Sequence, residues 1–151
     1  MLPTVRRALW LLLLSVMGCT IDPGPDLEPP MNSCNASSAL FVQPDGVWDD
    51  FFVHYDCGRS SCHDSKSGHG FFRLADVSAV PRPAPGTPLG AWPTEWGANL
   101  MNIERFLSCS NPAGSDLITF PENLSGEHPG GTIIGASDRA SAEAIFEDWL
   151  K

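Results

Sequence analysis

Basic side chains are scarce in this 151-residue chain, which has 9 Lys and Arg against 18 Asp and Glu and a formal net charge of −9 at pH 7. Binding to phosphate backbones or to anionic lipid surfaces depends on clusters of Lys and Arg. The charge balance therefore argues against nucleic acid and anionic lipid as partners. It permits a basic protein partner without requiring one.

Catalytic patterns are also missing. The sequence has no Ser-His-Asp order with supporting local context, no nucleophile elbow, and scattered rather than paired acidic residues. Asp49 and Asp50 are the only adjacent acidic pair near the cysteine motif described below, and a solvated helix face explains them. An enzyme is therefore less expected than a protein without catalytic activity.

A hydrophobic run long enough to cross a membrane is absent as well. Residues 8–17 are apolar, but a membrane-spanning helix needs about 20 such residues. Arg6 and Arg7 precede this stretch, and Gly18 followed by Cys19 ends it. A positive segment, a short apolar segment and a small residue are typical of a secretory signal of the lipoprotein kind. We therefore expect residues 1–18 to be a signal peptide.

Residues 16–19 (VMGC) resemble the lipobox of bacterial lipoproteins, whose cysteine is acylated on its sulfur and on its new amino terminus. This resemblance implies that the mature chain begins at an acylated Cys19, which anchors it to the lipid bilayer. Thr20 resembles the residue found at this position in lipoproteins sorted to the outer membrane. The implied location is the outer membrane, facing the periplasm or the cell surface. Ordinary signal cleavage without lipidation is the alternative.

Residues 19–32 contain several prolines and acidic residues and too few large apolar residues to pack, which predicts a Pro-rich tether. Residues 33–151 have the size of one small domain. Loss of residues 1–18 with Arg6 and Arg7 leaves 7 basic against 18 acidic residues, a net charge of −11.

The most informative motif is the run CGRSSCH at residues 57–63. In a c-type centre, two thiols add to the haem vinyl groups and the adjacent histidine becomes the proximal iron ligand. The commonest motif has two residues between the cysteines, whereas Cys57 and Cys62 are separated by four, so this is an expanded C-x4-C-H variant. We predict covalent haem c on Cys57 and Cys62, with His63 as an iron ligand. In an oxidising compartment, a disulfide across a turn is the alternative.

The chain contains 14 Gly and 14 Pro, which predicts many loops and little regular structure. The regular structure that remains has mainly helical periodicity. Residues 46–55 have an apolar face that runs into Cys57, and residues 97–107 have a weaker one. A last helix, capped by Ser137 or Asp138, would place Ala142, Ile145, Phe146 and Trp149 on one face. We predict a mainly α fold with long Pro/Gly-rich loops, of which residues 80–93 are the clearest.

An aromatic helix, a Cys-Cys-His site, a long looping middle and a last amphipathic helix together resemble the class I cytochrome c fold. Small cytochrome-like domains of bacterial lipoproteins resemble the chain more specifically, through the segments GFFRL (70–74), NPAGSDLI (111–118), HPGG (128–131) and DW (148–149). The resemblance implies that the first and last helices cross beside a haem crevice. It also implies electron transfer through an exposed haem edge to a redox partner, which the sequence does not identify.

His128 is the predicted second iron ligand, because the resembled cytochromes commonly supply it from a Gly-rich loop before the last helix. Gly130 and Gly131 would allow the backbone to approach a flat macrocycle closely. Met101 is the competitor, although a Met on an apolar helical face is more often core filler. His69 follows His63 too closely to cross to the opposite haem face, and His54 is expected to be a partly exposed helical residue.

Cys34 and Cys109 complete an even set of cysteines once Cys19 is lipidated. We predict a bridge between them, although four cysteines allow three pairings and the sequence does not choose among them. If no haem is attached, Cys57 and Cys62 would form a second bridge. The four tryptophans of the mature chain are expected in the core or in the crevice wall: Trp48, Trp92, Trp96 and Trp149.

Three functions follow from these patterns. The leading one is a lipid-anchored monohaem c-type cytochrome that transfers electrons. The second is a haem-free cytochrome-like lipoprotein, held by disulfides, with a structural or binding role; Asp64, where many such sites have Gly, favours it. The third is a metal site built from Cys57, Cys62, His63 and either His69 or His128, which is the weakest because free thiolates are hard to preserve outside the cytoplasm.

Overall fold

The structure is a computed structural model that describes residues 34–68, 70–124, 126 and 128–151. The predicted signal peptide, the tether with Cys19, and His69 lie outside the described residues. The α-helices are α1 (Ser38–Val42), α2 (Thr94–Glu104), α3 (Asp116–Glu122) and α4 (Arg139–Trp149), with a π-helix at Trp48–Val53 and 3₁₀ turns at Leu89–Ala91 and Pro112–Gly114.

The described residues contain no β-strand, and their sole β-pairing is an isolated parallel bridge between Asp64 and Leu74. The predicted mainly α class is therefore confirmed. Within the same residues, no helix has the length and apolar character needed to cross a membrane.

The aromatic helix predicted over residues 46–55 is present, but its central part has π rather than α geometry. The amide of His54 donates to the carbonyl of Asp49 at 3.1 Å, and the amide of Cys57 donates to that of Phe52 at 3.0 Å, both across five residues. Trp48, Phe51 and Phe52 are buried as the sequence predicts. Short π-helical segments are rare and frequently lie at functional sites, and this one leads directly to Cys57.

The two other predicted helices also exist. α2 begins at Thr94, earlier than predicted, and buries Trp96, Leu100 and Ile103. α4 buries Ala142, Phe146 and Trp149, whereas Ile145 is half-buried. Asp138 occupies the N-cap position of α4 but makes no side-chain cap.

The core is centred on Phe41 of α1, a helix that the sequence patterns did not predict. The Phe41 side chain is fully buried. Its ring lies within 6.5 Å, centroid to centroid, of five other aromatic rings: Trp48, Phe52, Trp92, Trp96 and Trp149. Aromatic pairs of this kind contribute about 0.5–1.5 kcal/mol each beyond the burial of their area.

The two ends of the domain meet at this core. The indole nitrogen of Trp149 donates to the carbonyl of Ser37 at 2.9 Å. Phe146 of α4 packs edge-on against Phe51 of the π-helix, with ring centroids 4.6 Å apart. The π-helix and the last helix are therefore in contact.

A disulfide joins Cys34 to Cys109, with Cα atoms 5.3 Å apart and a sequence separation of 75 residues. It ties the start of the described domain to the segment between α2 and α3. The pairing that the sequence favoured is thus present in the structure. Cys57 and Cys62 are free thiols in the same structure.

Side-chain amides of α2 fix the extended segment that follows the cysteine motif. Asn99, which is buried, accepts from the amide of Ala75 at 2.7 Å and donates to its carbonyl at 3.0 Å. Asn102 donates to the carbonyl of Arg73. Buried backbone groups need such partners, and here α2 supplies them and so fixes the position of the neighbouring Phe72.

Removing the disulfide by the double substitution Cys34→Ala and Cys109→Ala should lower the free energy of unfolding by roughly 4 kcal/mol, because a long loop is no longer closed in the unfolded chain. Denaturant unfolding followed by tryptophan fluorescence measures this. Cys62→Ser is the control and should change the free energy by less than about 0.5 kcal/mol. An unchanged stability in the double variant would contradict the structural role of the bridge.

Candidate functional site

A cavity of about 270 Å³ lies between the cysteine motif, the end of α2, α3 and the loop that precedes α4. Its wall is predominantly aromatic and aliphatic, including Phe51, Phe52, Phe72, Phe106, Leu117 and Phe120. Four side chains of the wall are ionisable or can bind a metal: Cys57, His63, Asp116 and His128. A largely apolar cavity with a few convergent polar groups is the usual form of a ligand site.

His63 is held in the cavity wall by its backbone and by its ring. Its amide donates to the carbonyl of Cys57 at 3.1 Å, and its carbonyl accepts from the amide of Leu74 at 2.7 Å. The ring Nδ1 lies 3.0 Å from the carbonyl oxygen of Phe72. A carbonyl can only accept, so this contact places a proton on Nδ1.

The turn after His63 is closed by Asp64. Its carboxylate accepts from the amides of Lys66 at 2.9 Å and Ser67 at 2.8 Å. The bonds from Ser67 and then Lys66 hold the pKa of Asp64 below its ordinary value. Gly68 is required here, because a Cβ would lie 2.5 Å from the Asp64 amide nitrogen. Asp64, which at the level of sequence favours a haem-free protein, thus has a local structural role.

His128 is oriented by the loop between α3 and α4. Its amide donates to the side-chain oxygen of Asn123 at 2.8 Å, and Asn123 ends α3 with φ of +52°. The Nδ1 atom lies 2.9 Å from the carbonyl oxygen of Gly131, which again places the proton on Nδ1. Gly131 has φ of +76°, a conformation that favours glycine.

Gly130 has a different role from the predicted one. A Cβ at this position would lie 2.9 Å from Cε1 and 3.2 Å from Nδ1 of His128. The missing side chain therefore makes room for the His128 ring itself. The structure thus explains the double glycine by the placement of this histidine.

The two histidine rings lie close together in the cavity wall. Their centroids are 6.1 Å apart, and their planes are inclined by 44°. The Nδ1 atoms lie against the carbonyls of Phe72 and Gly131, so a metal ion would have to be bound through Nε2. The distance between the rings suits binding of one metal ion by both.

Cys57 and Cys62 differ in their surroundings. Cys57 lines the cavity and packs against the core, and this burial raises the pKa of its thiol to about 12. Cys62 is not among the cavity-lining residues, and its sulfur accepts from Nε of Arg59 at 3.1 Å. The thiol inside the cavity stays protonated over the physiological pH range.

The other predicted residues lie elsewhere. Met101 is 63% exposed on α2 and does not line the cavity, so His128 is the better placed of the two competing second ligands. His54 is exposed beside Tyr55. The four tryptophans of the mature chain are in the core, and none lines the cavity. Among the residues that the structure describes, no cluster of three or more His, Cys, Asp or Glu could hold a metal ion.

α3 contributes to the cavity wall, which the sequence patterns did not predict. Leu117 and Phe120 lie on this helix, and Pro121 occupies its last turn. The pattern that indicates α3 is the apolar run after Ser115 and Asp116, and Pro121 makes this pattern hard to recognise as helical. A proline lacks the amide needed inside a helix, which makes a short helix of this kind hard to recognise.

Comparison with known proteins finds no matching family model and no significant match among curated proteins or solved structures.

Substituting Gly130→Ala should displace the His128 ring, because the new methyl group would overlap it. We expect the NMR signals of the His128 ring to shift while those of His63 change little. Gly97→Ala on α2 is the control, since its Cβ would meet no atom within 4 Å and alanine favours a helix. Identical His128 signals in the Gly130 variant would show that the glycine does not set the ring position.

Proposed function

We propose that this protein is a lipid-anchored monohaem c-type cytochrome that transfers electrons in the periplasm or at the cell surface. The observation that carries the proposal is the pair of imidazoles, His63 and His128, which both line an apolar cavity and have ring centroids 6.1 Å apart. A free thiol, Cys57, lies in the wall of the same cavity.

The spacing of the histidines fits axial ligation of one iron. Metal–imidazole bonds of about 2.0–2.1 Å on opposite sides of one ion place two ring centroids roughly 6 Å apart. The separation of 6.1 Å in the structure is close to this distance. The aromatic wall also fits the flat, apolar face of a porphyrin.

The thiol chemistry fits covalent attachment. The His63 amide donates to the carbonyl of Cys57, so the sulfur-bearing residue and the ligand are joined by a hydrogen bond as well as by sequence. Cys57 and Cys62 are free while Cys34 and Cys109 are joined, so the two cysteines of the motif remain available. When bound, haem supplies a one-electron couple between ferric and ferrous iron.

The residues around the site would influence the reduction potential of the bound iron. Each Nδ1–H that donates to a backbone carbonyl makes the opposite Nε2 a stronger base and fixes the ring orientation. Ligation by two histidines favours a lower reduction potential than ligation by His and Met. With His128 filling the second axial position, the site suits electron transfer better than binding of a small substrate.

Electron exchange requires a haem edge that a partner protein can reach, and exposed side chains line this cavity. Phe71 is 82% exposed and Phe120 is 48% exposed, and both line the opening. The net charge of −11 on the expected mature chain permits a basic redox partner. An acylated Cys19 and the Pro-rich tether would hold this edge away from the outer membrane.

A haem-free, disulfide-stabilised lipoprotein is the second function that an observation favours. Neither Phe41, at the centre of the core, nor the Cys34–Cys109 bridge lines the cavity, so these stabilising contacts do not involve a haem. Such a protein would use the cavity for binding or have a structural role.

The full-length chain, exported in a host with haem-attachment machinery, should show a reduced low-spin spectrum and a haemochrome band in alkaline pyridine that stays with the polypeptide. His63→Ala should abolish the low-spin spectrum. His128→Ala should keep covalent haem but open the second ligand position to added carbon monoxide, because the proposed second imidazole ligand is gone.

His54→Ala is the matched control, because this histidine is exposed and outside the cavity. Its spectrum should equal that of the unmodified chain. Absence of a band despite good export would favour the haem-free lipoprotein. An unchanged spectrum in His128→Ala would rule out the distal assignment.

Lipid anchoring predicts that Cys19→Ser moves the protein from the membrane fraction to the soluble fraction. Incorporation of labelled palmitate should be lost at the same time, because the acylated sulfur is gone. Cys62→Ser, which changes another free cysteine, should leave both properties intact. A wild-type chain that is soluble and unlabelled would contradict the lipobox interpretation.

A further inference from the structure

The two cysteines of the motif are not equivalent in the folded chain. Cys57 is in the wall of the histidine cavity and packs against the core. Cys62 is not in that wall, and its sulfur contacts Nε of Arg59 at 3.1 Å and the hydroxyl of Ser61 at 4.0 Å. Both cysteines are half-buried, but of the two, Cys57 is the one that lines the cavity.

Backbone hydrogen bonds hold this arrangement in place. The Cys62 amide donates to the carbonyl of Arg59 at 2.9 Å, and the Asp64 amide donates to the same carbonyl at 3.3 Å. His63, the next residue, is fixed to the carbonyl of Phe72 through its ring and to Leu74 through its backbone. Turning the Cys62 side chain into the cavity would break its contact with Arg59, whereas Cys57 already lines the cavity.

Resting on the function proposed above, we propose that haem is attached through Cys57 alone and that Cys62 stays a free thiol outside the cavity. A single thioether would then replace the pair that the spacing of the motif suggests. His63 and His128 keep their roles as axial ligands.

The attachment step is balanced without an oxidant or a reductant. The sulfur of Cys57 bonds to the inner carbon of one porphyrin vinyl group, the S–H bond breaks, and that hydrogen ends on the outer vinyl carbon. The carbon–carbon double bond becomes a single bond, and no electrons are gained or lost. The second vinyl group stays intact and conjugated with the macrocycle.

An intact vinyl group gives the proposal a spectroscopic signature. Conjugation of one remaining vinyl group moves the pyridine haemochrome band to a longer wavelength than that of haem held by two thioethers. This band position reports the number of bonds formed and does not depend on electron-transfer activity.

The experiment compares the exported full-length chain with its Cys57→Ser and Cys62→Ser variants, each purified in detergent. The denatured protein is alkylated, digested and mapped by mass spectrometry, and the haemochrome band is recorded for each. Circular dichroism shows whether a variant folds, and Cys57→Ala replaces Cys57→Ser if that variant does not.

We expect wild type and Cys62→Ser to carry the same covalent haem on the peptide that contains Cys57, with the band of a single thioether. Cys62 in the wild type should be alkylated, and Cys57→Ser should lose covalent haem. A two-thioether band, haem on a Cys62 peptide, or loss of covalent haem in Cys62→Ser would overturn this inference and leave the cytochrome function standing. A wild-type chain without any haem would overturn the proposed function itself.

Discussion

Phe41 packs against five aromatic rings at once, and these contacts hold together the core on which the cavity is built, including Phe52 in the cavity wall. Trp48 and Phe52 belong to the π-helix, Trp96 to α2 and Trp149 to α4, so one buried ring fixes three helices relative to one another. Burial of large aromatic surfaces is the dominant stabilising contribution in a small domain with little regular structure. The π-helix that leads into Cys57 is held by the same contacts.

In the loops, hydrogen bonds from side chains hold the backbone in place of the regular backbone hydrogen bonds of helices and sheets. Asn99 and Asn102 of α2 bind the backbone of residues 73–75, and Asn123 binds the amide of His128. These amides connect the rigid aromatic core to both histidines, since Phe72, beside the first segment, accepts from His63. The ligand geometry is therefore set by a few local bonds on a rigid base, which is how precise sites are generally built.

Much of the fold could be predicted because its signals were local. The helical faces of residues 46–55, 97–107 and 139–149 follow from apolar spacing, and the disulfide pairing is one of only three choices. α1 and α3 escaped prediction because α1 is a single turn and Pro121 interrupts the pattern of α3. The sequence patterns also could not predict the π geometry, because a π-helix differs from an α-helix only in which carbonyl accepts a hydrogen bond from each backbone amide.

The sequence by itself determined the types of chemistry present: two thiols beside a histidine, a second histidine directly before a Pro-Gly-Gly turn that precedes the last helix, and a mainly α framework. Only the tertiary structure decided that His63 and His128 lie close together, that Met101 lies on the surface, and that Cys57 and Cys62 occupy different environments. The physical reason is that spacing along the chain specifies local geometry. Whether residues 65 positions apart meet depends on how α3, Asn123 and Gly130 direct the loop around a core built elsewhere in the chain.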